Sequence, residues 1–428
     1  MSMPLRDSSS GLALRFGRQA LGVAAARELL LSYARCMTAE TLPLALALGR
    51  RLAAPLDAAC DVPHFRRSGV DGYAVRAADI AGATPERPAR LRVGEVIAAG
   101  DVPRRRLTPG AAARIMTGAA VPEGADTVVM LEMTDAPERA AVGVVVGIRK
   151  MLPAGSNLTP VAGEMAAGER LLDAGARIGP GEAALLAAFG HHEARVLRKP
   201  RVAIFATGAE LLNVDEPLRP GRIRNSNSYM LAAQVLEAGG EPVIMPALSD
   251  DAAQVERAIL RAVGDADLVL TTGGVSVGDR DVLVELFARW SGRLLFNKVA
   301  LRPGSPTSAA ELNGKLLLAL SGNPGAAFVG FELFAAPVLR AMLGNKAPVP
   351  RPFTALLDAD YPKGSAYPRY VRGMIGEENG CLRVRPAGMD KSSLMVTIKD
   401  ADCLIVLPAG GSGFTRGQRV QAYPLRMP

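Results

Sequence analysis

From about Pro200 to Leu343 the apolar positions fall in a repeating order. The short continuous runs RVAIFATG, EPVIMPALSD, ADLVLTTGG and KLLLALSGNPG read as buried strands, because they lack the polar alternation of a half-exposed strand. Between them, NSYMLAAQVLEAGG and AAQVERAILRAVGD carry apolar residues at helical spacing, and FVGFELFAAPVLRAML follows the last strand. Strand and helix in alternation predict a doubly wound α/β domain with a parallel sheet, spanning 199–345.

The flanking regions differ in texture. AARELLLSYARCM and LPLALALGRRLAAPL predict helices over 25–58. Residues 61–147 hold β-like segments (LRVGEVIAAG, ARIMTG, TVVMLEM) divided by Pro and Gly turns, and so predict a mostly β insertion domain. Residues 148–198, with the helix GPGEAALLAAFG, join 25–60 in a two-segment helical and β linker domain. The stretch 346–428 closes on LIVLPAGGSGFTRGQRVQAYPL, which reads as the end of a small β-barrel-like domain. Residues 1–24 read as a flexible leader without the apolar core of a signal peptide, which points to a cytoplasmic protein with no membrane partner.

Composition narrows the chemistry. A chain of 428 residues is too long for one core. Its four cysteines show no CxxC pairing and its three histidines are too few and too scattered for a zinc site or a His-based triad. The net charge of +8 is spread along the chain without a nucleic-acid-binding motif, so it fits an anionic small molecule better than nucleic acid.

Ligands of doubly wound sheets bind beyond the carboxyl ends of the strands, and the polar residues collect there. Thr207, Gly208 and Glu210 follow the first strand, Ser249, Asp250 and Asp251 the second, and Thr272 to Asp281 the third. The loops RPGSP from Arg302 and SGNPG from Ser321 add to the same edge. In TTGGVSVGDRD, Gly273 and Gly274 allow backbone amides to approach phosphate oxygens, while Asp279 and Asp281 tolerate a phosphate only with a cation such as Mg²⁺ between. An ordinary strand-to-helix turn with Asp as helix cap is the alternative.

RRSGVDGYAVR, ARIMTGAAVPEGADTVVM, VAIFATGAEL, TTGGVSVGDRD, RPGSP and SGNPG together resemble the molybdopterin molybdenumtransferases, the bacterial molybdenum-insertion enzymes related to the E domain of gephyrin. The resemblance runs over about residues 25–428. It implies insertion of molybdate into adenylyl-molybdopterin with release of AMP, Mg²⁺ dependence, and a homodimer whose cleft lies between the α/β domain of one subunit and the β insertion of the other. It also implies the molybdopterin adenylyltransferase and molybdoenzyme chaperones as partners.

By the same resemblance, Asp71, Thr117, Glu210, Asp250 and Asp281 are catalytic, with Asp250 and Asp281 as Mg²⁺ ligands. Thr207, Gly208, Thr272, Gly273, Gly274, Ser276, Gly278, Lys298, Arg302, Ser305, Asn323 and Pro324 bind substrate. The chain departs from its relatives where KPGKP reads RPGSP, placing Arg302 and Ser305 at the lysines. TGDEL reads TGAEL, the PGNP loop reads SGNPGA, and the relatives' paired serines align with Val396-Thr397. These changes fall on the oxyanion loops, so a divergent paralogue that carries molybdopterin or finished cofactor without inserting metal is the alternative, and molybdate or tungstate remain open as the oxyanion.

Overall fold

The computed structural model describes residues 19–135, 141–248, 251–274 and 290–425, together with Leu283, Leu286 and Phe287. The chain forms two compact units, one of residues 1–54, 174–179 and 193–428, the other of residues 55–173 and 180–192.

The larger unit is built on a six-stranded sheet. Its strands are β1 (Arg201–Ala206), β2 (Glu241–Ile244), β3 (Leu268–Thr272), β4 (Arg293–Phe296), β5 (Ser308–Leu312) and β6 (Lys315–Leu320), in the order β2-β1-β3-β6-β5-β4. The first four in that order are parallel; β5 and β4 add on antiparallel, an extension that the strand and helix alternation does not signal. Alternate residues of each central strand serve opposite faces. Ile204, Leu270 and Leu318 pack with helix α1 (Asn227–Glu237) and with α3 (Pro324–Met342). Phe205, Val269 and Leu317 pack with Val255 and Ile259 of α2 (Ala252–Asp265). Both faces are covered, which is why these strands read as unbroken apolar runs.

Helix α3 is long and apolar enough to cross a membrane by length and composition, yet most of it is buried, with Phe331 and Phe334 inside the sheet core. It contains a π turn over Phe331–Ala335, where the Ala336 amide reaches back five residues to the Phe331 carbonyl. Beyond it, β7 (Phe353–Leu357), β8 (Arg369–Glu378), β9 (Cys381–Pro386), β10 (Cys403–Leu407) and β11 (Arg419–Pro424) close a five-stranded barrel in the order β7-β9-β8-β10-β11. Val371, Val384, Ile405 and Val420 fill its interior. Closure leaves no free sheet edge.

The helices expected over 25–58 are only partly formed. Val23–Leu31 is a helix that buries Ala26 and Leu30 in the sheet core, but Ala39–Pro43 is a strand paired with Glu193–Leu197, and LPLALALG holds only the short helix Leu44–Ala47. Pro43 and the left-handed Gly49 (φ 77°) bracket that segment, and cross-strand pairing overrides its helical spacing. Of the expected leader, Leu21 and Gly22 pair in parallel with Val299 and Ala300.

The smaller unit holds a five-stranded sheet in the order Thr127–Met130, Gly72–Val75, Ala111–Ile115, Ala89–Ile97, Val145–Ile148. Tyr73, Val93, Val129 and Val146 are in its core. The helix Pro180–Ala188 also belongs to this unit.

Candidate functional site

The sheet order reverses between β1 and β3, and a cleft of about 1550 Å³ opens there, beyond the carboxyl ends of the strands. Three backbone strands meet at its floor. The Thr207 amide donates to the Thr272 carbonyl at 3.0 Å, and the Gly273 amide donates to the Leu320 carbonyl at 3.0 Å. Gly273 is left-handed (φ 97°), and a Cβ on it would lie 2.5 Å from the Thr207 carbonyl oxygen. Its glycine is therefore demanded by the neighbouring strand end as well as by any ligand.

Buried Thr272 links the floor to the rim. Its hydroxyl donates to the Ser321 carbonyl at 3.0 Å and accepts from Asn227 Nδ2 at 2.8 Å. The same amide nitrogen donates to the Gly322 carbonyl at 2.8 Å, so the first residue of α1 ties together the loops after β3 and β6. Asn225 Oδ1 accepts from the Ser228 amide at 3.2 Å, and Asn225, Ser226 and Asn227 all face the cleft. The positive end of α1 thus opens on the cavity, an arrangement that suits an anion. At α3 the amides are otherwise engaged: Pro324 has none, Gly325 donates to the Ser392 carbonyl at 2.8 Å, and Ala326 and Ala327 donate to the Asn323 carbonyl.

The other wall comes from the barrel mouth and the loop after Pro386. Ser365, Arg369, Asp390, Ser392 and Ser393 line it, and a one-residue parallel bridge sets Arg302 beside Arg369. The Tyr361 hydroxyl bonds to Asp390, and burial first, then that carboxylate, pushes the phenol well above its ordinary range. Arg372 is buried behind this wall, with Nε donating to Thr397 Oγ1 at 3.1 Å and Nη2 donating to the Lys391 carbonyl at 3.1 Å. Loss of hydration lowers its pKa from the usual arginine value.

Of the residues expected to bind substrate, Thr207, Gly208, Thr272, Gly273, Gly274, Arg302, Asn323 and Pro324 line the cleft, as does the expected catalytic Glu210. Glu210 is exposed and has no ion-pair partner among the described residues. Ser305 does not line the cleft. It is 5% exposed, and its hydroxyl donates to the Val299 carbonyl at 2.9 Å because the turn folds the side chain back onto its own loop. Lys298 is likewise outside the lining. Asp250, Ser276, Gly278 and Asp281 lie outside the described residues, as do Ser249 and Asp279. Asp251 caps α2: its carboxylate accepts from the Ala253 amide at 2.8 Å and the Gln254 amide at 3.3 Å, bonds that lower its pKa.

Asp71 and Thr117 stand together in the smaller unit. Each adjoins one of two paired strands, and the Thr117 amide donates to Asp71 Oδ1 at 2.9 Å. Both are exposed.

Sequence reasoning passed over Asn227, Arg369 and the pair Ser392-Ser393. The NSNS run was a usable sign, since Asn and Ser in succession before an apolar helix mark an N-terminus that can also face a ligand. Val396 is exposed and Thr397 is engaged with Arg372, so the paired hydroxyls at the cleft are Ser392 and Ser393 rather than Val396-Thr397.

Fold and cleft define a doubly wound α/β protein with an open cleft at the switch point of its sheet, faced by a helix N-terminus and by arginines. The family descriptions "MoeA N-terminal region (domain I and II)", "Probable molybdopterin binding domain" and "MoeA C-terminal region (domain IV)" match residues 21–190, 203–341 and 354–425. The molybdopterin molybdenumtransferase of Bacillus subtilis is 44% identical over 90% of this chain and 90% of its own, and that of Staphylococcus epidermidis 40% over 87% and 88%. The crystal structure of the molybdopterin biosynthesis moeA protein from Pyrococcus horikoshii OT3 superposes with a TM-score of 0.81 at 29% identity, covering 95% of this chain and 100% of that one. The chain belongs to the MoeA family of molybdopterin molybdenumtransferases, transferases of molybdenum cofactor biosynthesis.

Proposed function

We propose that this chain inserts molybdate into adenylyl-molybdopterin, with release of AMP, in a Mg²⁺-dependent reaction in the cytoplasm. The observation that carries this reading is the cleft itself: strand-end loops and the α1 N-terminus on one wall, an arginine-bearing barrel mouth on the other. The first wall suits the phosphates of a pterin nucleotide, and the second a small oxyanion.

Asn227 and Thr272 hold the loops that receive the nucleotide, and Arg302 offsets its negative charge. Among the described residues no three His, Cys, Asp or Glu side chains gather as a metal cluster. Glu210, however, presents a carboxylate to the cleft and makes no ion pair among the described residues, which fits a hard divalent ion. With Asp250 and Asp281, which follow β2 and β3 in the sequence, it would hold Mg²⁺. Mg²⁺ when bound neutralises phosphate oxygens and eases departure of AMP.

Asp71 and Thr117 have a role here by resemblance alone. We assign them to the cleft of a second copy in a homodimer, with the molybdopterin adenylyltransferase supplying substrate and molybdoenzyme chaperones receiving product.

Purified protein given adenylyl-molybdopterin, Mg²⁺ and molybdate should release AMP and yield active cofactor. Tight pterin binding with no AMP release would select the carrier reading instead. Chains bearing Asp71→Asn and Asp281→Asn should recover partial activity on mixing; none after verified subunit exchange would defeat the shared cleft.

A further inference from the structure

Within the larger unit, the extended segment at Arg51 and Leu52 runs between two neighbours. The Leu52 amide donates to the Ala176 carbonyl at 2.9 Å, and the Gly175 amide donates to the Leu52 carbonyl at 2.8 Å; on the other side the Leu197 amide donates to the Arg51 carbonyl at 2.9 Å. Arg51 and Arg177 thereby form a one-residue antiparallel bridge. Residues directly opposite in such a pair hold their Cβ atoms about 4.5 to 5.5 Å apart, and like charges there destabilise the pair.

The last turn of α3 reaches the same place. A Cβ on Gly175 would lie 2.5 Å from the Gly344 carbonyl oxygen, and Arg51 Nη1 donates to the Gly175 carbonyl at 2.7 Å. Arg340 stands in that last turn, with Nη1 3.5 Å from the Pro348 carbonyl. Burial first, then the charges of Arg177 and Arg340, lower the pKa of Arg51. None of the three arginines has an ion-pair partner among the described residues, whereas neighbouring Arg50 pairs with Glu40. The C-terminus of α3 offsets about half a unit of this charge, which leaves a surplus of about two.

We propose that Arg51, Arg177 and Arg340 form a binding site for a phosphate group, separate from the cleft. Helix α3 begins at the cleft with Pro324 and runs 19 residues, so at about 1.5 Å per residue its two ends stand roughly 28 Å apart. A phosphate dianion matches the surplus charge, and guanidinium forks match its oxygens. Arg177 is exposed and gives the anion access, while Arg51 and Arg340 are half-buried and held by carbonyls. The site uses no cleft residue and stands whatever reaction the cleft performs.

The test titrates inorganic phosphate and AMP separately into full-length protein by calorimetry, at constant ionic strength set with chloride. The number of anions bound per chain and their dissociation constants are read for wild type, Arg177→Gln, Arg177→Glu, and Arg177→Gln combined with Arg340→Gln. Arg177→Gln should weaken one phosphate site about 10-fold, and adding Arg340→Gln should weaken it further. Arg177→Glu should abolish that site and raise the melting midpoint without phosphate, because the new carboxylate then faces Arg51 in place of the anion. The Arg177 side chain is exposed and makes no hydrogen bond among the described residues, so the single variants carry the test if the double one fails to fold.

AMP bound more tightly than inorganic phosphate, with the same loss in Arg177→Gln, identifies a nucleotide as the ligand. AMP bound equally or less tightly identifies free phosphate. Wild-type protein that binds neither anion above the chloride control, or an Arg177→Gln protein with unchanged site number and constants, overturns the proposal.

Discussion

The Ser305 hydroxyl donates to the Val299 carbonyl at 2.9 Å while the Val299 amide donates to the Ser305 carbonyl at the same distance, closing a two-way bond beneath the cleft. A lysine placed there, as in the relatives' KPGKP, would meet a 5% exposed site already filled by this loop. Ser305→Lys should therefore destabilise the protein by about 2 kcal/mol or more, since an ammonium is buried and a hydrogen bond lost. It should not improve molybdate dependence. Thermal denaturation beside a molybdate titration checks both; an unchanged melting midpoint with tighter molybdate dependence would show that the loop refolds to present the lysine.

Asn227 gives both of its recorded bonds from one nitrogen, to Thr272 and to Gly322. Asn227→Ala should cost about 1 to 2 kcal/mol of stability and weaken pterin nucleotide binding about 10-fold. Asn227→Asp should bind more weakly still, because a carboxylate cannot donate to either oxygen and repels phosphate. Calorimetric titration of both variants measures the order; equal affinities would remove Asn227 from the site.

A Cβ on Gly325 would come within 2.1 Å of Arg372 Nη1. Because that guanidinium is buried and bonded to Thr397 and Lys391, it has little freedom to retreat. Gly325→Ala should cost about 2 to 4 kcal/mol through overpacking and broken bonds. Arg372→Ala in the same chain should relieve the clash, so the two substitutions together should cost less than the sum of their separate costs. Denaturant melts of the two single variants and the double variant provide the cycle.

Glu332, in the π turn of α3, accepts from Gln234 Nε2 at 2.7 Å, and burial raises its pKa from 4.5 to about 7. A carboxyl raised on folding holds its proton longer in the native state than in the unfolded chain. Its contribution is therefore at its most favourable below about pH 4.5, erodes as pH rises, and is at its least favourable above about pH 7. Glu332→Gln should be close to neutral at pH 5 and stabilising by about 1 to 3 kcal/mol at pH 8. Urea melts at the two values test this; a pH-independent difference would contradict it.

β1, β3 and β6 were legible because burial on both faces leaves a continuous apolar run, whereas β2, at the sheet edge, is half exposed and not the buried strand its sequence suggests. Ala39–Pro43 was not, since AETLP is mostly exposed and becomes a strand only by meeting Glu193–Leu197, far along the chain. The strand-end loops were legible as a candidate site for the same reason that the sheet was: topology places the carboxyl ends of the four parallel strands on one edge. Arg369 was not, because RYVRG reads as ordinary barrel alternation, and only its register with Arg302 brings it to the cleft. Ser305 misled for the converse reason. A family position specifies where the backbone goes, and a shorter side chain was free to turn inward.

The π turn of α3 also sets how this helix tolerates change. A regular helix advances about 100° per residue, and the wider turn absorbs one residue beyond that spacing, so Pro324–Gly330, which begins at the cleft, and Ala336–Met342, which ends in the sheet core, keep the phase of a helix one residue shorter. Removing a single residue within 331–335 would let the backbone relax into an unbroken helix with both halves still turned toward their present neighbours. Length is therefore more forgiving within the π turn than in the turns on either side, where one residue lost would swing a packed face by more than a quarter turn away from the core.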